Sequence, residues 1–172
     1  MHWEEIATLE DMERYKAEFL EDPGCDVDRE DISSAMDASG LEEDELLEAW
    51  FEAVIARFRG KDEIEVYRHM AVPDFTRFVE GLEAGSETAG IHWSLSEGTW
   101  SPAPEQGGDA DILLAGIVPA ASMDWFTTFQ NFFSHPWEEE VAFEGDLRLL
   151  WVKDLASGET HAPRLQAYPT MR

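Results

Sequence analysis

Two glutamates at alternate positions are the most conspicuous chemical groups in the sequence. Glu138 and Glu140 lie in the segment HPWEEEVAF, directly before the apolar residues Val141 and Phe143. Alternate residues of a strand share a face, so the two carboxylates are predicted to project together beside a hydrophobic floor. Burial and mutual repulsion change the proton affinity of such a pair, which suits acid–base or electrostatic catalysis. A solvated strand entrance is the alternative interpretation, because runs of charge usually face water.

A single arginine interrupts an apolar strand face earlier in the chain. In EIEVYRHM, the alternation places Arg68 on the same side as Ile64, Val66 and Met70. A guanidinium is permanently charged and binds phosphate or carboxylate through two parallel hydrogen bonds. Arg68 is therefore a candidate ligand for an anionic group, and an internal ion pair with a glutamate is the alternative.

Further polar and aromatic candidates lie between and beside these two segments. TAGIHWSLS predicts a strand on which His92 and Ser94 share a face and Trp93 points the other way. Before the acidic run, TTFQNFFSHPW carries Phe133 and Trp137, whose rings could stack on a guanidinium or a base. The histidines at 69, 92 and 135 have neither the spacing of a helical zinc pair nor a cysteine partner, so we predict no metal site.

The elements that must position these groups change type after residue 60. Apolar residues first recur at three- and four-residue steps and later at every second position. The patterns predict helices at about 3–21, 29–38, 46–58, 75–82 and 123–133, the last with Ser122 as N-cap, and strands at 63–70, 88–96, 111–118, 137–143, 147–152 and 160–168. Residues 97–109 are predicted as a loop, and Glu144-Gly145-Asp146 as the turn of a hairpin. The fold class is therefore α+β, with a helical region at 1–60 and a strand-rich core at 61–172, folded together as one unit.

Charge and composition exclude several functional classes. The net charge of −26, from 12 basic and 38 acidic residues, argues against general binding to nucleic-acid backbones. The sequence has neither a long uncharged apolar segment nor a secretion-signal pattern, so a soluble, cytoplasmic protein without membrane contact is expected. Cys25 is the only cysteine, which excludes an internal disulfide. The acidic surface fits a salt-rich cytoplasm, and it also fits docking on a basic partner or mimicry of nucleic acid.

Taken in order, the arginine, serine and glutamate segments resemble the mono-ADP-ribosyltransferases of the cholera-toxin-like branch. That family carries an arginine on its first core strand, an aromatic residue followed by serine on a second, and Glu-x-Glu at the start of a later strand. Here these elements are Arg68 in VYRHM, Ser94 in GIHWSLS, and Glu138 with Glu140 in WEEEVAF. The resemblance spans about residues 63–153 and implies a split β-sandwich core that follows the N-terminal helices.

The resemblance implies a use of NAD as cosubstrate and a role for each of these residues. Arg68 would hold the pyrophosphate or the adjoining ribose, and Ser94 would hydrogen-bond Glu140, with His92 and Trp93 beside them in the NAD site. Glu140 would stabilise an oxocarbenium-like transition state as nicotinamide leaves. Glu138 would sit beside the incoming nucleophile, which makes protein arginine the expected acceptor.

The loop before the acidic run corresponds to the acceptor-recognition loop of that family, which implies that Phe133 and Trp137 contact the macromolecular acceptor. The chain departs from the family at Leu95, where a second hydroxyl is common, at His69, where glycine is frequent, and over 97–109, where a short helix is common. A catalytically inactive relative that uses its acidic surface to bind a basic partner is the alternative.

Overall fold

The structure is a computed structural model that describes residues 5–24, 27, 29–90, 92–98, 110–163 and 168–169. The described residues form six α-helices and seven strands: α1 Leu9–Arg14, α2 Lys16–Glu21, α3 Arg29–Ser39, α4 Glu43–Phe58, β1 Glu63–Val72, α5 Phe75–Ala84, β2 Trp93–Ser94, β3 Ala110–Pro119, α6 Trp125–Ser134, β4 Glu140–Val141, β5 Asp146–Asp154, β6 Thr160–His161 and β7 Tyr168–Pro169. The predicted α+β class is confirmed.

The sheet is antiparallel and brings together segments that are distant in sequence. Its strand order is β4-β2-β1-β3-β5-β6, and β7 also pairs with β5. The long strands β1 and β3 form the centre, in full register from Glu63 opposite Pro119 to Val72 opposite Ala110. On the other side of β1, the short strands β2 and β4 extend the sheet, so the predicted arginine, serine and glutamate segments lie on three neighbouring strands.

Aromatic side chains form the core between the helices and one face of the sheet. Phe19 of α2 packs edge-on against Phe133 of α6, with ring centroids 5.1 Å apart, and Phe51 of α4 lies 4.9 Å from Phe129. All four of these side chains are at most 2% exposed. Burial of such large rings is the main source of stabilisation, at roughly 25 cal/mol per Å² of apolar surface. The N-terminal helices thus share one core with the strand-rich region.

Several predicted elements are confirmed with small changes in their bounds. The helices at 29–38, 46–58 and 75–82, and the strands at 63–70 and 111–118, are all present. Gly60 follows α4 with φ +75°, and Gly85 closes α5 with φ +71°, a left-handed conformation that glycine adopts without steric cost. The last predicted strand is present in part, since Thr160–His161 pairs with β5 at the edge of the sheet.

Other predictions are wrong, and the reasons are local. The first helix is broken at Tyr15, and α1 begins at a capping box in which Thr8 and Asp11 bond each other's backbone amides. The N-cap of α6 is Asp124, which accepts from the Thr127 amide, and not Ser122. The predicted start of the first helix at Trp3, the loop at 99–109 and residues 164–167 of the last strand lie outside the described residues.

The predicted hairpin across Glu144-Gly145-Asp146 is also wrong. β4 pairs with β2, and β5 pairs with β3, so the two segments lie in different parts of the sheet. The strand in WEEEVAF is reduced to Glu140–Val141, and a single bridge joins Phe143 to Met123. The acidic run therefore lies mainly in a turn that leads into β4.

Candidate functional site

A cleft opens where β2 separates from β1. β2 pairs with β1 at one register position, Tyr67 opposite Ser94, and the chain before Trp93 then leaves the strand. The cleft has a volume of about 580 Å³, within the range of pockets that hold small molecules. Its lining comes from β1, β2, β3, β4 and the turns beside them: Tyr67, Arg68, His69, Met70, Ala71, His92, Trp93, Ser94, Ser96, Glu97, Leu113, Glu138 and Glu140.

A row of polar side chains crosses three strands on the cleft face of the sheet. Ser94 is directly opposite Tyr67 on β1 and Glu140 on β4. Residues that face each other across an antiparallel pair project to the same side. The pairing thus places the Ser94 hydroxyl between the phenol and the carboxylate, and it fixes their spacing through the backbone. The Ser94 hydroxyl donates to the Ser96 carbonyl at 2.8 Å.

The carboxylate of Glu140 contacts the imidazole of His92. The distance from Nδ1 to Oε1 is 2.6 Å, and the histidine side chain is 69% exposed while that of Glu140 is 28% exposed. His92 precedes Ser94 by two residues and is a diagonal neighbour of Glu140, within reach of a long side chain. A carboxylate only accepts hydrogen bonds, so Nδ1 is the donor. Glu140 therefore has a partner, His92, that was not predicted for it, and the predicted hydrogen bond from Ser94 to Glu140 stays a prediction.

Arg68 leaves β1 on the opposite face and fills the gap where the strands separate. Its Nη1 donates to the His92 carbonyl at 3.1 Å, and its Nε is buried without a hydrogen-bond partner in the described residues. Burial lowers the pKa of Arg68, and the negative charge of Glu140 opposes that change. Arg68 and Glu140 therefore interact electrostatically although they leave the sheet on different faces. The predicted position of Arg68 on the apolar face is confirmed, because it lies opposite the buried Leu114.

The three consecutive glutamates point to two places. Glu138 and Glu140 both line the cleft, although Glu138 lies in a turn and not on the predicted strand. Glu139 pairs with Arg57 of α4, and its φ of +48° is in the left-handed region. The backbone carbonyl of Glu139 also accepts from the Leu95 amide at 3.1 Å. The left-handed residue thus lies between the two glutamates that line the cleft, in the turn that leads into β4.

Two of the predicted site residues are packed in the core. The Phe133 ring is 2% exposed and meets Phe19, which contradicts its predicted role in stacking on an acceptor. Trp93 is 1% exposed and its indole nitrogen donates to the Gly90 carbonyl at 3.1 Å, so the indole is not a free stacking surface for a ligand. Trp137, in contrast, is 53% exposed, with its ring against that of His135.

Sequence reasoning did not select three residues at this site. Tyr67 and Glu97 line the cleft, and burial, together with a hydrogen bond to Glu65, raises the pKa of Tyr67 to about 12. Tyr67 is therefore a neutral hydroxyl donor at physiological pH. The alternation in VYRHM could have indicated Tyr67, since it precedes Arg68 on the opposite face. Arg57 lies on α4, 82 residues before its partner Glu139 in the chain, and the sequence carries no local signal for that contact.

Within the described residues, no group of three or more histidine, cysteine, aspartate or glutamate side chains is placed to hold a metal ion. No described helix has both the length and the apolar character needed to cross a membrane.

Comparison with known proteins found no matching family model, no matching curated protein and no matching solved structure.

Proposed function

We propose that the chain is an NAD-dependent mono-ADP-ribosyltransferase that modifies a macromolecular acceptor, most simply an arginine side chain of a protein. One observation carries the proposal: Arg68, Ser94 and Glu140, which are far apart in sequence, line one cleft from three neighbouring strands. The split β-sandwich of the ADP-ribosyltransferases is part of the same proposal. NAD, when bound, supplies the glycosidic bond that breaks and the nicotinamide that leaves.

The residues of the cleft fit the chemical parts of NAD. Arg68 supplies a cation in a chain that has few of them, and its buried Nε has no hydrogen-bond partner among the described residues, a partner that a pyrophosphate or ribose oxygen would provide. His92 is well exposed, its carbonyl accepts from Arg68, and in the proposal its imidazole turns toward the bound ribose. The fit supports a ligand that combines anionic phosphates with hydroxyl groups.

Glu140 is the residue that supports transfer chemistry best. Its carboxylate faces the cleft, and only 28% of the side chain is exposed. A fixed negative charge in a partly desolvated position stabilises positive charge that develops at a neighbouring carbon. In the proposal, Glu140 holds the ribose by its hydroxyl and lies beside that carbon. The contact with His92 would then be exchanged for the contact with the ribose.

The acceptor side of the cleft is assigned to Glu138, with Trp137 beside it. Glu138 lines the cleft together with Glu140, and the adjacent Trp137 is exposed. Glu138 would pair with a guanidinium and accept a proton from it as the new bond forms. The exposed indole would stack on the same cation, a contact of about 0.5–2 kcal/mol. A cationic acceptor also fits the net charge of −26.

The first prediction concerns Glu140→Gln, which keeps the shape of the side chain and removes its charge. We expect NAD-dependent nicotinamide release to fall by about 10²–10³-fold, the usual effect of losing a fixed electrostatic partner. Nicotinamide release and transfer of labelled ADP-ribose are measured in cell lysate, and mass spectrometry locates the modified residue. Glu80→Gln is the matched control, because Glu80 is exposed on α5 outside the cleft.

Two results would contradict the proposal. One is a wild-type protein that neither binds NAD nor releases nicotinamide with any lysate. The other is equal activity in the wild type and Glu140→Gln.

The net charge of −26 favours a second function, in which the fold is an inactive acidic module that docks on a basic partner. Binding of that partner would then weaken steeply with salt and be unaffected by Glu140→Gln.

A further inference from the structure

Arg57 of α4 makes a contact that connects the helical region to the acidic turn. Its guanidinium pairs with the carboxylate of Glu139 and lies over the ring of Phe132, 5.7 Å from the ring centroid. Glu139 is the one residue of the acidic run that does not line the cleft. The pair therefore lies behind the candidate site and does not contact a ligand there.

The backbone at Glu139 is strained, and contacts with two other residues hold it in this conformation. Among the described residues, Glu139 is the only non-glycine residue with a positive φ. A side chain in this conformation costs free energy and persists only where surrounding contacts hold it. Two contacts do so here: the Arg57 ion pair holds the side chain, and the Leu95 amide holds the backbone carbonyl.

The strained residue separates Glu138 from Glu140 in the chain. Regular strand geometry at 138–140 would continue β4 backwards, whereas the observed turn leads into a strand that begins only at Glu140. One carboxylate oxygen of Glu139 is buried without a hydrogen-bond partner in the described residues. The negative charge of this side chain is therefore balanced by the guanidinium of Arg57. Loss of Arg57 would leave that buried charge without its cation, which favours movement of the whole turn.

We propose that Arg57 is a positioning residue, which holds Glu139 in its left-handed conformation and thereby aligns Glu138 and Glu140 in the cleft. The effect on catalysis rests on the proposed function, whereas the effect on the turn does not. Through this contact, α4 acts as a support for the site, and the helical region becomes necessary for its geometry.

A double-mutant cycle tests this role. Arg57→Gln should lower kcat by about 10²-fold with a much smaller change in the KM for NAD, because misplacement of reacting groups affects the transition state most. Arg57→Lys should restore most of the rate, since it restores the cation. Glu139→Gly should remain active, because glycine adopts the same φ without a clamp. In the Glu139→Gly background, Arg57→Gln should then cost only a few-fold.

The Leu95 amide provides a second measurement that needs no activity. Its hydrogen bond to the Glu139 carbonyl protects it from exchange with solvent, so Arg57→Gln should speed its exchange by about tenfold. Arg59→Gln is the matched control: Arg59 follows α4 directly, and its ion pair with Glu13 lies on the surface. That variant should leave both the rate and the Leu95 amide unchanged.

The two measurements separate the possible failures. Equal losses from Arg57→Gln in the wild-type and Glu139→Gly backgrounds would show that Arg57 does not act through Glu139. An unchanged Leu95 exchange rate in Arg57→Gln would overturn the positioning role itself. If the wild type releases no nicotinamide while Leu95 exchange responds as expected, the proposed reaction is wrong and the positioning of the turn stands.

Discussion

Gly90 sets the space that the Arg68 guanidinium occupies. Its φ is +77°, and a Cβ at this position would lie 2.5 Å from Cζ of Arg68 and within 2.7 Å of both terminal nitrogens. These atoms belong to the end of a flexible side chain, so an added methyl group would displace the guanidinium and leave the backbone in place. The identity of residue 90 is therefore coupled to the position of the cation in the cleft.

Gly90→Ala should impair ligand binding more than it impairs folding. The left-handed conformation makes alanine cost about 1–2 kcal/mol of stability, and displacement of Arg68 should weaken NAD binding by about tenfold or more. Gly158→Ala is the control, because Gly158 has φ +76° and no atom within 4 Å of an added Cβ. Urea denaturation and NAD titration of both variants separate the two effects. Equal NAD affinity in the two variants would show that Arg68 does not contact NAD.

At the scale of elements, the long helices and central strands follow from local pattern, and the short strands do not. Each turn of α4 and each residue pair of β1 repeats the same preference, so the signal accumulates along the sequence. β2 and β4 have two residues each, and they exist because each finds a partner strand. The hairpin signal at Glu144-Gly145-Asp146 was misleading for the same reason, since pairing with β2 and β3 outweighs a local turn preference.

The candidate site was predictable to the extent that strand alternation determines it. Alternation correctly placed Arg68 on the apolar face, whereas Glu138 lines the cleft beside Glu140 from a turn and not from the predicted strand. It could not indicate that Phe133 would be enclosed by Phe19 of a distant helix. It also gave no sign of Arg57, whose contact depends on how α4 packs against α6. Tertiary packing determines the burial of Phe133 and the contact of Arg57. The local spacing of residues in a single sequence does not reveal that packing.

Thr128 of α6 replaces a missing strand partner beside β4. It is fully buried, and its hydroxyl both donates to the Ala142 carbonyl and accepts from the Ala142 amide, at 3.2 and 3.0 Å. The segment that carries Glu140 is thereby fixed to α6 directly after its two-residue strand. A single hydroxyl thus bonds both backbone groups of Ala142, whose carbonyl also accepts from the Asp124 amide at 2.9 Å.

Thr128→Val should destabilise the protein by about 1–3 kcal/mol, because it keeps the volume of the side chain and leaves the Ala142 amide without this hydrogen-bond acceptor. Thr76→Val on the exposed surface of α5 is the control and should change stability by less than about 0.5 kcal/mol. Urea denaturation followed by tryptophan fluorescence measures both. A loss in Thr128→Val no larger than that in Thr76→Val would mean that the hydroxyl does not support the segment after β4.

At the scale of the whole molecule, repulsion between carboxylates opposes the stabilisation that comes from the aromatic core. The 38 acidic and 12 basic residues give a net charge of −26 on 172 residues, and the ion pairs found in the described part of the chain are mostly exposed. Exposed pairs contribute little individually, so they do not cancel the mutual repulsion of the excess carboxylates. The repulsion is greatest in the compact state. Salt reduces it, because the Debye length of the solution falls from about 30 Å at 0.01 M to about 10 Å at 0.1 M ionic strength.

The free energy of unfolding should therefore rise with salt, by on the order of 1 kcal/mol or more between about 0.01 and 0.3 M. Sodium chloride and choline chloride should act equally at matched ionic strength, because screening does not depend on the identity of the cation. A variant with amides in place of the exposed Glu21, Asp37, Glu80 and Glu159 reduces the net charge from −26 to −22, and its stability should depend less on salt. If the stability of the wild type is the same at both salt concentrations, repulsion between the surface carboxylates does not oppose folding.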